Sequence, residues 1–180
     1  MTVTAGEITV RRLGAEDATE GVPALAELLK DCVDGGASVS FMHPMPVEKA
    51  LGFWQRVADD VARGERALLV AEDADGRIVG TVQLILAQPE NQPHRADVAK
   101  MLVHRRARRH GVAGRLMERV ETVARDEGKT LLVLDTVSGS DAERLYLRAG
   151  WRRVGEIPDY ALMPDGAFCP TTIFYKAIAR

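Results

Sequence analysis

A chain of 180 residues, 46% of them hydrophobic and 28% charged, has the composition of one globular unit, and we expect residues 1–180 to form a single domain. The formal net charge of −2 excludes the strongly basic surface of a protein whose main partner is a nucleic acid. Residues 1–11 lack the apolar region of a secretory signal, and no apolar run approaches the roughly 20 residues that span a bilayer. We therefore expect a cytoplasmic protein without a membrane partner.

The cysteine and histidine residues show no metal-binding pattern. Cys32 and Cys169 are far apart in the chain and have no metal-type neighbours, which favours free thiols, although a bridge between them stays open. The four histidines also lack the spacing of metal ligands, so we expect no metal.

The first third of the chain predicts one strand and two helices. β-Branched residues favour a strand over residues 8–13. A helix over residues 23–30 is expected to end before Gly35, and an unusually apolar loop follows over residues 37–46. Apolar residues at spacings of three and four predict the second helix, over residues 46–63.

The rest of the chain alternates between predicted strands and helices. Asp75-Gly76 is a hairpin signal between the first two strands. The predicted strands are 66–72, 77–87, 96–103, 131–136, 151–157 and 171–178, and the predicted helices are 110–127 and 141–148. This order predicts an α/β domain with a mixed sheet. The strand–helix–strand unit over residues 96–136 should be a parallel, right-handed crossover.

The segment Arg108-Arg109-His110-Gly111-Val112-Ala113-Gly114 lies between a predicted strand and a predicted helix. The first amides of a helix lack internal partners, and the helix dipole adds partial positive charge there, so a pyrophosphate can bind. Gly111, Ala113 and Gly114 leave the backbone accessible. Arginines at positions 105, 106, 108 and 109 add full positive charges for a ligand with several phosphates.

Two other interpretations of this segment are possible. A Rossmann dinucleotide site needs G-x-G-x-x-G/A, and the spacing Gly-x-Ala-Gly found here does not match it. The other interpretation is an ordinary basic helix start at the surface, which the segment taken alone leaves open.

Arg108, Gly111 and Ala113 resemble the Q/R-x-x-G-x-G/A motif of the GNAT superfamily of N-acetyltransferases. The resemblance extends over about residues 66–178. It implies a mixed, mostly antiparallel sheet in which the parallel crossover carries the acetyl-CoA site. The backbone of residues 101–103 would pair with the pantetheine arm, and the amides of residues 109–114 would hold the pyrophosphate. The cofactor-binding residues implied are Met101, Leu102, Val103, Arg108, Arg109, His110, Gly111, Val112, Ala113 and Gly114.

Residues 142–151 resemble a second motif of the same family, A-x-x-L-Y-x-x-x-G-F/W. The resemblance implies that Tyr146 protonates the departing CoA thiolate. The alternative is that Tyr146 only packs against the sheet. The family's common Asn three residues before the alanine is replaced here by Gly139, and whether Ser138 or Ser140 substitutes for it stays open.

Two carboxylates are candidates for the base that deprotonates the acceptor amine. Asp135 ends an apolar strand, where an unpaired acid is costly unless it is functional. Asp97 lies on the strand expected beside it, so the hypothesis places both in one acceptor pocket. The alternatives are that Asp97 pairs with Arg95 and that Asp135 caps the turn at Thr136.

Residues 155–166 resemble the tabtoxin-resistance acetyltransferase subgroup, which implies a small-molecule amine acceptor. Tyr160 and residues 41–45 are candidates for lining its pocket, or for ordinary packing. Both cysteines lie outside the motifs, so direct transfer is expected rather than a cysteine relay. An enzyme for protein N-termini or lysines and a non-catalytic acyl-CoA-binding module remain alternatives. The superfamily resemblance is also compatible with a homodimer.

Overall fold

One sheet organises the part of the chain that the computed structural model describes, residues 8–179. Residues 1–7 and residue 180 lie outside that range. The expectation that the N-terminal segment carries no secretory signal therefore falls largely on residues outside the described range. The strands are β1 Thr9–Leu13, β2 Arg66–Glu72, β3 Ile78–Ile85, β4 Arg95–Val103, β5 Leu131–Val137, β6 Arg152–Leu162 and β7 Phe168–Ala177. They lie in the order β1-β2-β3-β4-β5-β7-β6.

Helices cover both faces of this sheet. They are α1 Ala15–Glu20, α2 Val22–Asp34, α3 Val47–Ala62, α4 Val112–Asp126 and α5 Asp141–Arg148. Helices α2 and α3 pack on one face around the fully buried Trp54. Helix α4 packs on the other face through Leu116 and Val120, and α5 joins that face through Tyr146. Among these helices of the described region, none combines the length and apolar character that crossing a bilayer requires.

The strand pairing confirms the predicted mixed, mostly antiparallel sheet. Strands β4 and β5 pair in parallel, as the crossover predicted, and the other pairings are antiparallel. The parallel ladder is short, running only from Arg95 opposite Leu131 to Asp97 opposite Val133. Beyond these three pairs the two strands continue without pairing to each other. A gap therefore opens between them in the middle of the sheet.

A bulge in β4 accompanies this gap. Lys100 has a φ of 51°, and the register against β3 shifts by one residue between Ala99 and Leu102. A bulge bends its strand and reorients the side chains that follow it. The sequence pattern of β4 did not predict this feature.

Several predicted boundaries are corrected by the structure. Helix α1 was not predicted, because among its six residues only Ala18 is buried and no apolar periodicity results. Strand β6 extends past the predicted end at Ile157 to Leu162, and β7 begins at Phe168 rather than Thr171. Strand β6 is an edge strand, where proline is tolerated, so Pro158 does not end it.

Gly80 on β3 allows α4 to approach the sheet closely. A Cβ atom there would lie 2.9 Å from Val112 Cγ1, 3.1 Å from Leu116 Cδ1 and 3.2 Å from the Leu102 carbonyl oxygen. We expect Gly80→Ala to lower the free energy of unfolding by about 1–3 kcal/mol, because overpacking displaces the first turns of α4. Urea unfolding measures this change.

A matched glycine-to-alanine change should have the opposite sign. Gly52 lies inside α3, and the nearest atom to an added Cβ is an Arg56 guanidinium nitrogen at 3.7 Å. Gly52→Ala should therefore stabilise by roughly 0.5–1 kcal/mol through helix propensity. A Gly80→Ala protein as stable as the wild type would show that α4 moves outward at no cost.

Candidate active site

A cavity of about 580 Å³ lies where β4 and β5 part. It is lined by residues 36–42 of the loop after α2, residues 98–101 of β4, residues 135–137 of β5, and residues 160–163 and 169–171 of the β6–β7 hairpin, together with the start of α5. Five separate segments thus converge on one space, and the gap in the sheet forms its floor.

The loop after α2 is attached to the β6–β7 hairpin across the cavity. The Ser38 hydroxyl donates to the Leu162 carbonyl oxygen at 2.9 Å, and the His43 amide donates to the Pro164 carbonyl oxygen at 3.0 Å. Phe41, Met42 and Tyr160 line the cavity, as the sequence suggested. His43, Pro44 and Met45 do not, and Met45 is instead 3% exposed in the core beneath the loop.

The segment before α4 presents a row of free backbone amides. Gly111 and Arg109 have φ values of 76° and 66°, and the first backbone bond of the helix runs from the Arg115 amide to the Gly111 carbonyl. Within residues 8–179, the amides of residues 109–114 have no hydrogen-bond acceptor. Apart from the adjoining backbone, no atom lies within 4 Å of a Cβ placed on Gly111 or Gly114, so the surface at both glycines is open. This arrangement fits a phosphate group at a helix N-terminus.

The four arginines near these amides divide into two pairs. Arg105 donates from its backbone and its guanidinium to Asp31, each at 2.9 Å, and Arg106 lies 3.9 Å from Asp73. These contacts hold the 3₁₀ turn over Arg105–Ala107. Arg108 and Arg109 are exposed and form no ion pair with a carboxylate in the described part of the chain. Arg108 and Arg109 are therefore the two that remain available to a ligand.

Tyr146 both packs against the sheet and borders the cavity, so packing alone does not account for its position. Its ring packs against Trp151 and Phe174 at centroid distances of 6.0 and 6.1 Å, and the side chain also borders the cavity. It is 5% exposed. Burial, assisted by the charge of Asp135, raises the pKa of Tyr146 far above that of a free phenol. The hydroxyl therefore stays protonated near neutral pH.

Two serines lie just before α5. The Ser140 hydroxyl accepts a hydrogen bond from the Glu143 amide at 3.1 Å and caps the helix, and Ser140 also borders the cavity. The Ser138 hydroxyl is 2.7 Å from that of Thr172. Ser140, and not Ser138, is therefore the serine placed at the cavity beside the position of the missing Asn.

Asp135 borders the cavity at the point where β5 leaves the parallel ladder. The Thr171 hydroxyl on β7 lies 3.2 Å from one Asp135 carboxylate oxygen. No ion pair to Asp135 occurs among residues 8–179, and the side chain is exposed to the cavity. Its hydrogen-bond partner is thus on the neighbouring strand rather than at the turn near Thr136.

Asp97 does not share this cavity. Its carboxylate forms an ion pair with Arg95 and accepts a hydrogen bond from the Gln88 amide nitrogen at 3.2 Å. In the parallel ladder Asp97 lies opposite Val133, two residues before Asp135, at the closed end of the gap. The predicted meeting of Asp97 and Asp135 in one pocket is therefore not found, because the register separates them and Arg95 holds Asp97.

The structure adds two cavity residues that sequence reasoning missed. Lys100 donates from Nζ to the Ser40 hydroxyl at 3.0 Å, and the ammonium lies 5.8 Å from the centroid of the Phe53 ring. Burial lowers the pKa of Lys100, although Asp135 opposes this effect. Cys169 also lines the cavity as a buried free thiol, 3.9 Å from the Ser38 hydroxyl. Cys32 is likewise free and buried.

Metal-ligating side chains are not grouped in the described chain. Within residues 8–179, no three His, Cys, Asp or Glu residues are placed to hold a metal ion together.

Comparison with known proteins places this geometry in one family. The model of the Acetyltransferase (GNAT) family matches residues 24–151. An uncharacterised N-acetyltransferase encoded in the hisH-hisA intergenic region of Azospirillum brasilense is 32% identical over 131 residues, which cover 72% of this chain and 75% of that protein.

Solved structures show the same fold. A ribosomal-protein-alanine N-acetyltransferase from Brucella melitensis superposes with a TM-score of 0.78 at 20% identity, covering 94% of this chain and 99% of the other. The putative acetyltransferase yncA from Salmonella typhimurium, solved with its cofactor acetyl-CoA, gives a TM-score of 0.78 at 17% identity, covering 97% and 96%. At these identities the comparison concerns the fold.

The protonation state of Tyr146 has a direct spectroscopic consequence. The chain has three tyrosines, at positions 146, 160 and 175. At about pH 11, above the ordinary pKa of a phenol, we expect Tyr146→Phe to leave the tyrosinate absorbance of the folded protein unchanged, because Tyr146 is not ionised there. In denaturant the same substitution should remove about one third of the absorbance, because all phenols then titrate normally. A loss of one third in the folded protein would contradict the assignment.

Proposed function

Because the chain belongs to the GNAT family of N-acetyltransferases, we propose that it transfers the acetyl group of acetyl-CoA directly to the amine of a small molecule. The observation that supports a small-molecule acceptor is the bounded cavity. Its volume of about 580 Å³ falls within the range of small-molecule sites, roughly 300–1,000 Å³. The Ser38–Leu162 and His43–Pro164 hydrogen bonds hold the loop over it.

The residues at the end of β4 fit the acyl carrier. Leu102 and Val103 pair with β3 on one side, while the side facing β5 has no strand partner beyond Asp97. An extended chain with amide groups can add to such an edge as an extra strand. The backbone of Met101, Leu102 and Val103 would thus hold the pantetheine arm of acetyl-CoA.

The pyrophosphate would lie on the amides before α4. The free amides run from Arg109 through His110, Gly111, Val112 and Ala113 to Gly114, and they combine with the partial positive charge of the helix. The exposed guanidinium groups of Arg108 and Arg109 add full charges. Bound there, acetyl-CoA supplies the thioester carbonyl carbon to which the amine nitrogen bonds.

Asp135 is the proposed base. An ordinary amine has a pKa of about 10 and must lose a proton before its nitrogen can attack a carbonyl carbon. The Asp135 carboxylate faces the cavity and is free of ion pairs in the described chain, so it can hold the ammonium and accept its proton, directly or through water. Asp97 instead closes the narrow end of the gap through its ion pair with Arg95.

Tyr146 is the proposed proton donor to the leaving sulfur. The carbon–sulfur bond breaks as the carbon–nitrogen bond forms, and the sulfur gains a proton while the nitrogen loses its second one. A phenol that burial keeps protonated can donate to a negative charge developing in the cavity. The overall products are the N-acetylated amine, CoA thiol and one proton.

Two alternative functions would use this site differently: acetylation of proteins, and binding of acyl-CoA without catalysis. The Brucella melitensis relative is named for acetylating alanine of a ribosomal protein, so a protein N-terminus is a second acceptor class to test. A non-catalytic acyl-CoA-binding module would bind the carrier without turnover. The placement of Asp135 and Tyr146 at the same cavity favours a catalytic function over this module.

Thiol release from acetyl-CoA distinguishes these functions. We expect turnover with one or more amines from a panel of amino acids, amino sugars and simple alkylamines. Peptides that begin with the same amino-acid residues should react at least about tenfold more slowly, because the cavity is bounded by the loop and the hairpin. A preference for the peptides would indicate a protein acetyltransferase. Binding of acetyl-CoA without turnover on any acceptor would indicate the module.

The two carboxylates provide a matched test of the base. We expect Asp135→Asn to lower kcat/KM about 10²–10⁴-fold near neutral pH, because the amide cannot accept the ammonium proton. Part of this loss should be recovered at higher pH, where more of the amine is already unprotonated. Steady-state kinetics against pH measure both effects.

Asp97→Asn is the control for this substitution. It should change kcat/KM less than about threefold and lower the free energy of unfolding by about 0.5–1 kcal/mol, through loss of the partly exposed ion pair with Arg95. Wild-type kinetics in Asp135→Asn would exclude Asp135 as the base. A large kinetic loss confined to Asp97→Asn would assign the base to Asp97.

A further inference from the structure

The ammonium of Lys100 borders the acceptor cavity and has a single hydrogen-bond acceptor within the described part of the chain. It carries three N–H donors, and the structure gives it one acceptor, the Ser40 hydroxyl at 3.0 Å. In the described part of the chain no carboxylate forms an ion pair with it. Other lysines that are partly buried are satisfied: Lys129 donates to two carbonyl oxygens, and Lys176 pairs with Glu121 at 2.7 Å and donates to Ala149.

Lys100 lies at the bulge of β4 and has an unusual backbone conformation. Its φ of 51° is uncommon for a residue other than glycine, and it occurs at the bulge where β4 turns away from β5. The ammonium also lies over the face of Phe53, an interaction that favours a cation. Lys100 and its acceptor Ser40 both line the cavity, so the charge lies at the cavity wall.

The charges of the cavity suit a ligand that carries both signs. Asp135 borders the same space, and it influences the pKa of Lys100 without forming a direct ion pair with it. Burial, aided by the nearby Arg66, lowers the pKa of Lys100, and an incoming anion would oppose this effect by stabilising the charged form. A negative group at Lys100 and an amine at Asp135 would satisfy both residues.

We propose that Lys100, with Ser40, binds a carboxylate of the acceptor, so that the enzyme selects amino acids and related compounds in which the amine lies near an anionic group. This inference rests on the proposed function, because the amine of the same molecule is placed at Asp135 for acetylation. Lys100 is then a specificity-determining residue. A competing role is that Lys100, having a lowered pKa, accepts the amine's proton itself.

Pairs of acceptors that differ only in the carboxylate distinguish carboxylate binding by Lys100 from proton acceptance by Lys100. Each standard L-α-amino acid is compared with its carboxamide, which keeps the amine and the shape but removes the negative charge. For accepted compounds we expect the wild type to show a kcat/KM at least about tenfold higher for the acid, mainly through a lower KM. Equal or better use of the carboxamides by the wild type would overturn the proposal.

Substitution of Lys100 provides the second comparison. Lys100→Met should raise the KM for the acids about tenfold or more and change the values for the carboxamides less than about threefold. Lys100→Arg should retain part of the preference, because it keeps the charge. Lys49→Met is the matched control: Lys49 lies 5.8 Å from the centroid of Phe41, a cavity residue, but does not line the cavity itself. A loss of kcat in Lys100→Met that is equal for acids and carboxamides would instead assign it the proton-accepting role.

Binding measured without turnover keeps the two proposals distinguishable. Calorimetric titration of the enzyme–CoA complex with an acid and its carboxamide should show binding of the acid at least about tenfold tighter, and Lys100→Met should abolish this difference. If no amine is acetylated but the acids still bind selectively through Lys100, the proposed function fails and the carboxylate site stands. If acetylation occurs and the acids bind no more tightly than the carboxamides, the proposed function stands and the carboxylate site fails.

Discussion

The separation of β4 from β5 is the constraint on which the rest of the structure depends. The two strands share only the pairs from Arg95–Leu131 to Asp97–Val133, after which the bulge at Lys100 turns β4 away. One geometric event thereby forms the floor of the cavity, leaves an unpaired edge on β4 beyond Asp97, and places the end of that strand before the free amides of α4. The proposed acceptor side and the proposed carrier side of the site are consequences of the same gap.

A gap in a central sheet is costly, because it removes ladder hydrogen bonds and exposes backbone. The chain offsets this cost on the outer sides of the two strands. Strand β5 stays paired with β7 over its whole length, and β4 stays paired with β3 on both sides of the bulge. Tyr146 packs against Trp151 and Phe174 beside β5, and α4 packs tightly on β3 at Gly80. The rigid surroundings keep the gap open without a third strand.

The sequence predicted those features that depend on residues close together in the chain. Apolar periodicity identified α3 and α4, the Asp75-Gly76 pair indicated the β2–β3 hairpin, and the glycines around position 111 marked the amides before α4. Features that depend on the register between distant segments could not be predicted from the sequence. Asp97 and Asp135 lie on neighbouring strands as expected, but only the pairing of Asp97 with Val133 shows that they face different surroundings. Lys100 gave no sequence signal, because its significance comes from a bulge and from the loop that carries Ser40.

If Tyr146 is the proton donor, as proposed, its environment restricts how the proton can reach the leaving sulfur. Burial and the charge of Asp135 disfavour the tyrosinate, whereas an ordinary thiol has a pKa of only about 8.5, so a stepwise transfer that left the phenol ionised would be strongly uphill. The attacking nitrogen becomes acidic as its bond to carbon forms, and it holds the proton that must leave. In the proposed mechanism, Tyr146 can therefore give its proton to sulfur only as it receives another from the nitrogen side. The hydroxyl is then a relay that is never ionised, which is compatible with a phenol enclosed by Trp151 and Phe174.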